Sequence, residues 1–163
     1  AKDAARIWWV LRYWGAKDVR LLNGGWVGWE KGKFPTETAE PALAAGEFKA
    51  VAAPERLATK GEILKSLSGD KLQIVDARSE WVDLLDNESH RFKSPDELKK
   101  LFDAAGIKLD RPTATHCQSG GRAAVMAYGL ELMGAKDVRN YYKSWSERGN
   151  ADDTPVVKPA PKK

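Results

Sequence analysis

The hexapeptide Gly15-Ala16-Lys17-Asp18-Val19-Arg20 recurs letter for letter as Gly134-Ala135-Lys136-Asp137-Val138-Arg139, at an offset of 119 residues. Six identities in register constrain the fold more than any other feature, because a repeat at that distance marks a duplicated structural unit. Carrying the offset outward pairs Ala4-Ala5 with Ala123-Ala124, Leu11 with Leu130 and Trp26 with Trp145. The chain therefore reads as two copies of one domain, the first without its beginning.

In the first copy, residues 4–14 (AARIWWVLRYW) read as a helix that is apolar on most of its circumference and wants burial on several sides. Left exposed, it is an aggregation hazard. Gly15 stops it, residues 19–22 read as a short strand, and Asn23-Gly24-Gly25-Trp26 as a turn. The aperiodic Pro, Thr, Ala and Gly of residues 34–48 read as a linker. The expected division is residues 1–33 for the remnant of a non-catalytic first domain, 34–48 for the linker, 49–150 for a catalytic domain and 151–163 for a basic Pro-rich tail.

The second copy alternates strands and helices. Residues 58–67 carry a capping Thr59 and apolar positions at helical spacing, and residues 71–78 read as a buried strand running into Asp76. Ser94-Pro95 opens an amphipathic helix that ends at Gly106. Residues 112–116 read as a strand, and residues 123–133 as a helix closed by Gly134. This order predicts an α/β domain with a central parallel sheet flanked by helices, whose ligand site lies at the carboxyl ends of the strands, where Asp76 and Cys117 fall.

Between the last of those strands and its helix stands Cys117-Gln118-Ser119-Gly120-Gly121-Arg122, with the single cysteine of the chain. A helix N-terminus offers unpaired N–H groups and a positive dipole end, which lower a thiol from ~8.5 toward roughly 3.5–7.5. The two glycines let the backbone curl around an anionic adduct, and Arg122 adds a fixed charge. Spacing alone leaves a second reading open: a lone cysteine also serves as a small buried hydrophobe, and Gly-Gly as a plain turn.

Composition removes other classes. Hydrophobic residues make up 42% and charged residues 31%, a globular balance, and no apolar run reaches the ~18 residues of a membrane span. The last eight residues, 156–163, supply three of the net +4 charges, and basic residues elsewhere are interleaved with Asp and Glu, so no basic stripe for nucleic acid emerges. One cysteine and two histidines argue against a disulfide framework or a zinc site. The amino terminus shows neither an initiator Met nor a signal peptide and leaves the compartment unwritten.

Four segments of the second copy, in order, resemble the tandem-domain rhodanese family, the sulfurtransferases that work through a cysteine persulfide. They are Ile74-Val75-Asp76-Ala77-Arg78, the pre-helix segment Arg91 to Leu98, the active loop Cys117 to Arg122, and a closing motif of Tyr141 with Ser144-Trp145-Ser146-Glu147. Asn23-Gly24-Gly25-Trp26 is similar to the end of the family's first domain. The resemblance implies that Cys117 is the nucleophile, that Gln118, Ser119, Gly120, Gly121 and Arg122 bind substrate, and that Asp76, Arg78 and Trp145 support them. It implies a small anionic donor, thiosulfate or mercaptopyruvate, and a thiophilic acceptor. It also implies no cofactor, no metal, no nucleic acid or membrane partner, and a monomer with a pseudo-twofold domain pair. A cysteine phosphatase is disfavoured, since only four residues separate Cys117 from Arg122.

Two departures stand out. Between Ser79 and Glu80 the family carries a further segment, often with a substrate-binding arginine. Its pattern resumes cleanly at Trp81, which reads as an omitted segment rather than a true deletion. Tyr142-Lys143 replaces the usual Asp-Gly, and Lys143 is expected to be a solvated loop lysine or, alternatively, an added charge at the pocket. His116 is expected to point away from Cys117, as alternation along a strand requires.

Overall fold

The computed structural model describes residues 1–69 and 71–156. Its elements are α1 (Lys2–Tyr13), α2 (Gly25–Lys31), α3 (Lys60–Ser66), β1 (Gln73–Asp76), α4 (Pro95–Ala104), β2 (Thr113–His116), α5 (Gly121–Leu132), β3 (Val138–Asn140) and α6 (Ser144–Arg148). Single 3-10 turns, Pro54–Arg56 and Glu80–Leu84, complete the described residues. The chain is α/β, a parallel sheet flanked by helices and preceded by the two helices of the first copy.

The sheet order is β1-β2-β3, parallel throughout, with Asp76 level with His116. β2 is central and buried on both faces, so it reads Thr-Ala-Thr-His without alternation. On one face Thr115 Oγ1 donates to the Ala123 carbonyl at 3.0 Å, and Ala123, Ala124, Ala127 and Leu130 of α5 pack with Phe102 and Leu98 of α4. On the other, Ala114 meets Ile63 and Tyr141.

Local chemistry accounts for the helix starts. Thr59 and Ser94 each accept from the backbone N–H three residues on, while Glu62 and Glu97 reach back to the cap N–H, two reciprocal capping boxes. The repeat is a helix stop written twice. Gly15 and Gly134 take φ of +93° and +96°, and Ala16 and Ala135 return their N–H to Leu11 and Leu130 at 2.9 and 3.0 Å. Arg20 then pairs with Asp18, and Arg139 with Asp137.

One expectation changes. Residues 19–22 form no strand, although their counterpart is β3: Val138–Asn140 pairs with β2, whereas among the described residues no neighbouring strand offers residues 19–22 a ladder. The opening helix finds the burial it wants along α5. Trp8 meets Tyr128 edge-on at 5.0 Å, Trp9 stacks on Tyr142 at 5.1 Å, and Ala5, Trp8 and Trp9 are buried, while Ile7, Leu11 and Trp14 stay exposed. At the start of the tail Thr154 is buried with its hydroxyl donating to the Arg148 carbonyl, and Asp153 pairs with Lys60 at 2.8 Å. The remainder of the tail, from residue 157, lies outside the described residues.

Residues 34–48 form neither helix nor strand. The chain then returns to the end of α1, where Val51 and Ala53 donate to the carbonyls of Trp14 and Tyr13. Ser79 leads directly into the 3-10 turn Glu80–Leu84, which buries Leu84 against α5.

Candidate active site

Cys117 follows β2 directly, and Gly120 at φ +80° is the N-cap of α5. Glycine is needed at that cap twice over, for its left-handed backbone and because a Cβ would stand 2.7 Å from the Tyr142 carbonyl oxygen. The curled loop aims backbone N–H groups at the sulfur. Burial pushes the Cys117 thiol up, but the N–H groups of Ala123, Ser119, Arg122 and Gly120 outweigh it and hold the thiol below its ordinary value.

The closing motif fixes the loop from below. Cys117 N–H donates to Ser144 Oγ at 3.0 Å, and that hydroxyl donates to the Tyr141 carbonyl at 2.7 Å. Trp145 N–H reaches the Cys117 carbonyl at 3.1 Å, Ser146 N–H the Gln118 carbonyl at 3.0 Å, and Asn140 Nδ2 the Gly120 carbonyl at 3.1 Å. Ser144 is fully buried at φ +54°, matching Gly25 of the first copy at +56°. A serine held there carries strain that its two hydrogen bonds offset.

Asp76, Arg78 and Arg122 tie the end of β1 to the same loop. Arg78 Nε and Nη2 lie 2.8 and 2.7 Å from Asp76 Oδ2, and Arg122 Nη1 donates to the Arg78 carbonyl at 2.6 Å. Burial pushes the Asp76 carboxyl up, yet the Arg78 hydrogen bonds and the nearby His116 hold it below its usual value. The Arg78 and Arg148 guanidiniums each lie over the Trp145 indole, 5.2 Å from a ring centroid.

Cys117 is only 1% exposed but opens onto a cavity of about 350 Å³. Gln118, Ser119, Gly121 and Arg122 of the loop line it, with Trp81 beside them and Lys2 and Arg6 of α1 closing another side. A larger cavity of about 560 Å³, walled by Trp9, Tyr13 and Tyr141, does not include the cysteine.

Of the residues singled out by sequence, Cys117 and four of its loop neighbours thus share one cavity. Gly120 shapes the loop, and Asp76, Arg78 and Trp145 stand behind it. Ser119 does not cap α5, because Gly120 holds the cap position and no side chain serves it. Lys143 adds no charge to this cavity: it is 73% exposed and pairs with Glu147 at 2.9 Å. His116 is buried with Nε2 3.8 Å from Asp76 Oδ2 and does not line the cavity.

Two contributors went unseen, and one was placed in a motif without a role. Asn140 and Arg6 carry no local signal, whereas Ser144 stands in the closing motif and its special backbone was signalled by the repeat, which aligns it with a turn glycine.

No family model matches the chain. Over 180 residues it is 30% identical to the 3-mercaptopyruvate sulfurtransferase of Escherichia coli (strain K12), covering 94% of this chain and 63% of that protein. It is also 30% identical over 172 residues to the thiosulfate sulfurtransferase of Mus musculus, covering 88% and 57%. The crystal structure of SseA from Escherichia coli, described by its "rhodanese" fold, superposes with a TM-score of 0.76 at 30% identity over 88% of this chain and 61% of that one. The chain spans less than two thirds of the length of these curated relatives. The 180-residue alignment also exceeds the 163 residues here, so the bacterial relative carries residues that this chain lacks. Sequence and fold point the same way, and the chain belongs to the rhodanese family.

Proposed function

We propose that the chain is the sulfur-transferring part of a sulfurtransferase that moves a sulfane sulfur from thiosulfate to a thiophilic acceptor through a persulfide on Cys117. The observation that carries this is the place of the sulfur, at the floor of a cation-lined cavity, where the backbone N–H groups of Ser119, Gly120, Arg122 and Ala123 hold the thiol below its ordinary value. In this reading residues 49–150 form the catalytic domain, residues 1–33 the remnant of its partner domain, and residues 34–48 the linker.

The Cys117 thiolate attacks the outer sulfur of thiosulfate. A new S–S bond forms, the bond to the sulfonate sulfur breaks, and sulfite leaves with the electron pair. Cyanide or a thiolate then attacks the outer sulfur of the persulfide, and the Cys117 thiolate is regenerated with the electron pair of the broken S–S bond. This is covalent catalysis in two steps. The loop N–H groups that stabilise the thiolate also stabilise the persulfide anion. Gln118, Ser119, Gly121 and Arg122 hold the donor, while Asp76, Arg78 and Trp145 keep the loop in place.

Relatives named for both donors support a second substrate, mercaptopyruvate, at the same cysteine. The test is thiocyanate formation from cyanide with each donor, compared with Cys117→Ser. Turnover lost in the variant supports the reading, and the faster donor assigns the substrate. Equal rates for wild type and variant would refute it.

A further inference from the structure

Arg6 belongs to the first copy, outside the domain that carries the cysteine, yet it lines the Cys117 cavity. It stands one turn beyond Lys2 on α1, so an i, i+4 pair of cations faces the active loop. The guanidinium presses on the loop backbone: a Cβ on Gly121 would meet Arg6 Nη2 at 2.6 Å. Glycine at 121 therefore makes room for this arginine.

The charge of Arg6 is poorly matched by the protein. Its Nη1 makes one long contact of 3.4 Å to Tyr142 Oη, and its carbon sits 5.7 Å above the Tyr142 ring. Its Nε is buried and has no hydrogen-bond partner, and among the described residues no carboxylate pairs with it. A half-buried guanidinium without an anion is an unfavourable arrangement unless a ligand completes it. Arg122, by contrast, has already committed one arm of its fork to the Arg78 carbonyl.

We propose that Arg6 is a substrate-binding residue, contributed by the first copy, that holds the oxyanion end of the sulfur donor beside Cys117. A guanidinium at the cavity wall, its charge unmatched by a carboxylate, suits the oxyanion of a sulfonate or a carboxylate, the chemistry shared by thiosulfate and mercaptopyruvate. This rests on the sulfurtransferase reading for the identity of the donor but not for the presence of an anion site.

Alkylation of Cys117 in the full chain separates the two. Iodoacetate and iodoacetamide form the same S–C bond with loss of iodide, and they differ in charge. Arg6→Gln is expected to slow iodoacetate about tenfold while iodoacetamide stays within about twofold, and Arg6→Lys to keep most of the preference. Arg6→Met, which retains the apolar stem, replaces the Gln variant should that one fail to fold. A ratio of the two rates that is unchanged in the neutral variants, or an equal fall for both reagents, overturns the proposal. With the ratio lowered, KM values for thiosulfate and for mercaptopyruvate show which oxyanion Arg6 holds. If wild type turns over neither donor, the sulfurtransferase reading fails while the anion site stands.

Discussion

Ser144 offers the sharpest mutational test of how the active loop is held. Its hydroxyl accepts from the Cys117 N–H at 3.0 Å and donates to the Tyr141 carbonyl at 2.7 Å, in a fully buried setting. Ser144→Ala leaves that amide unpaired, which costs about 1–3 kcal/mol. The backbone at φ +54° adds a second effect of opposite sign. A non-glycine residue in the left-handed region costs roughly 1–2 kcal/mol, so Ser144→Gly loses the same hydrogen bonds but recovers about 1 kcal/mol of strain. For a chain of this size ~1 kcal/mol moves the melting temperature by about 2–4 °C. Thermal unfolding followed by near-ultraviolet circular dichroism should therefore place Ser144→Ala about 4–8 °C below wild type for a loss near 2 kcal/mol, with Ser144→Gly a few degrees above it. Iodoacetamide labelling of Cys117 should slow in both variants, since both release the Cys117 N–H. A Ser144→Ala protein as stable as wild type, or a Gly variant less stable than the Ala variant, would contradict the reasoning.

Other perturbations give equally definite outcomes. Gly120→Ala places a methyl group 2.7 Å from the Tyr142 carbonyl oxygen at φ +80° and should abolish the tight loop, read as loss of both labelling selectivity and turnover. Trp8→Ala removes an almost fully buried ring from the seam between α1 and α5 and should cost about 3–5 kcal/mol in urea unfolding. Burial holds His116 below its ordinary value, so between the folded and unfolded values the unfolded chain binds more protons. Its contribution is complete above ~6.5 and falls as pH drops through that window, and His116→Asn should flatten the slope of melting temperature against pH there.

The second copy was legible because its signals are local. Thr59 with Glu62 and Ser94 with Glu97 announce helix starts within four residues, and Gly-Gly after a short β-branched run announces the turn on which Cys117 sits. The loop's own N–H groups follow from that turn. What hid were contacts made across the chain: Ser144 to Cys117 spans 27 residues, Asn140 to Gly120 spans 20, and Arg6 to Tyr142 spans 136. Residues 19–22 show the converse limit. Their sequence matches that of β3 at the repeat, but a strand exists only where a neighbour completes its ladder. The repeat also carried more than the duplication itself, since Gly25 reveals why Ser144 is unusual.

The central claim is that Cys117 carries the transferred sulfur, and intact mass spectrometry tests it most directly. Protein mixed with thiosulfate or mercaptopyruvate should gain about 32 Da, mapped to Cys117 in a peptide digest and removed by cyanide. Cys117→Ser should gain nothing. An unmodified Cys117 after both donors, or a sulfur adduct that persists in the Cys117→Ser protein, would contradict the account.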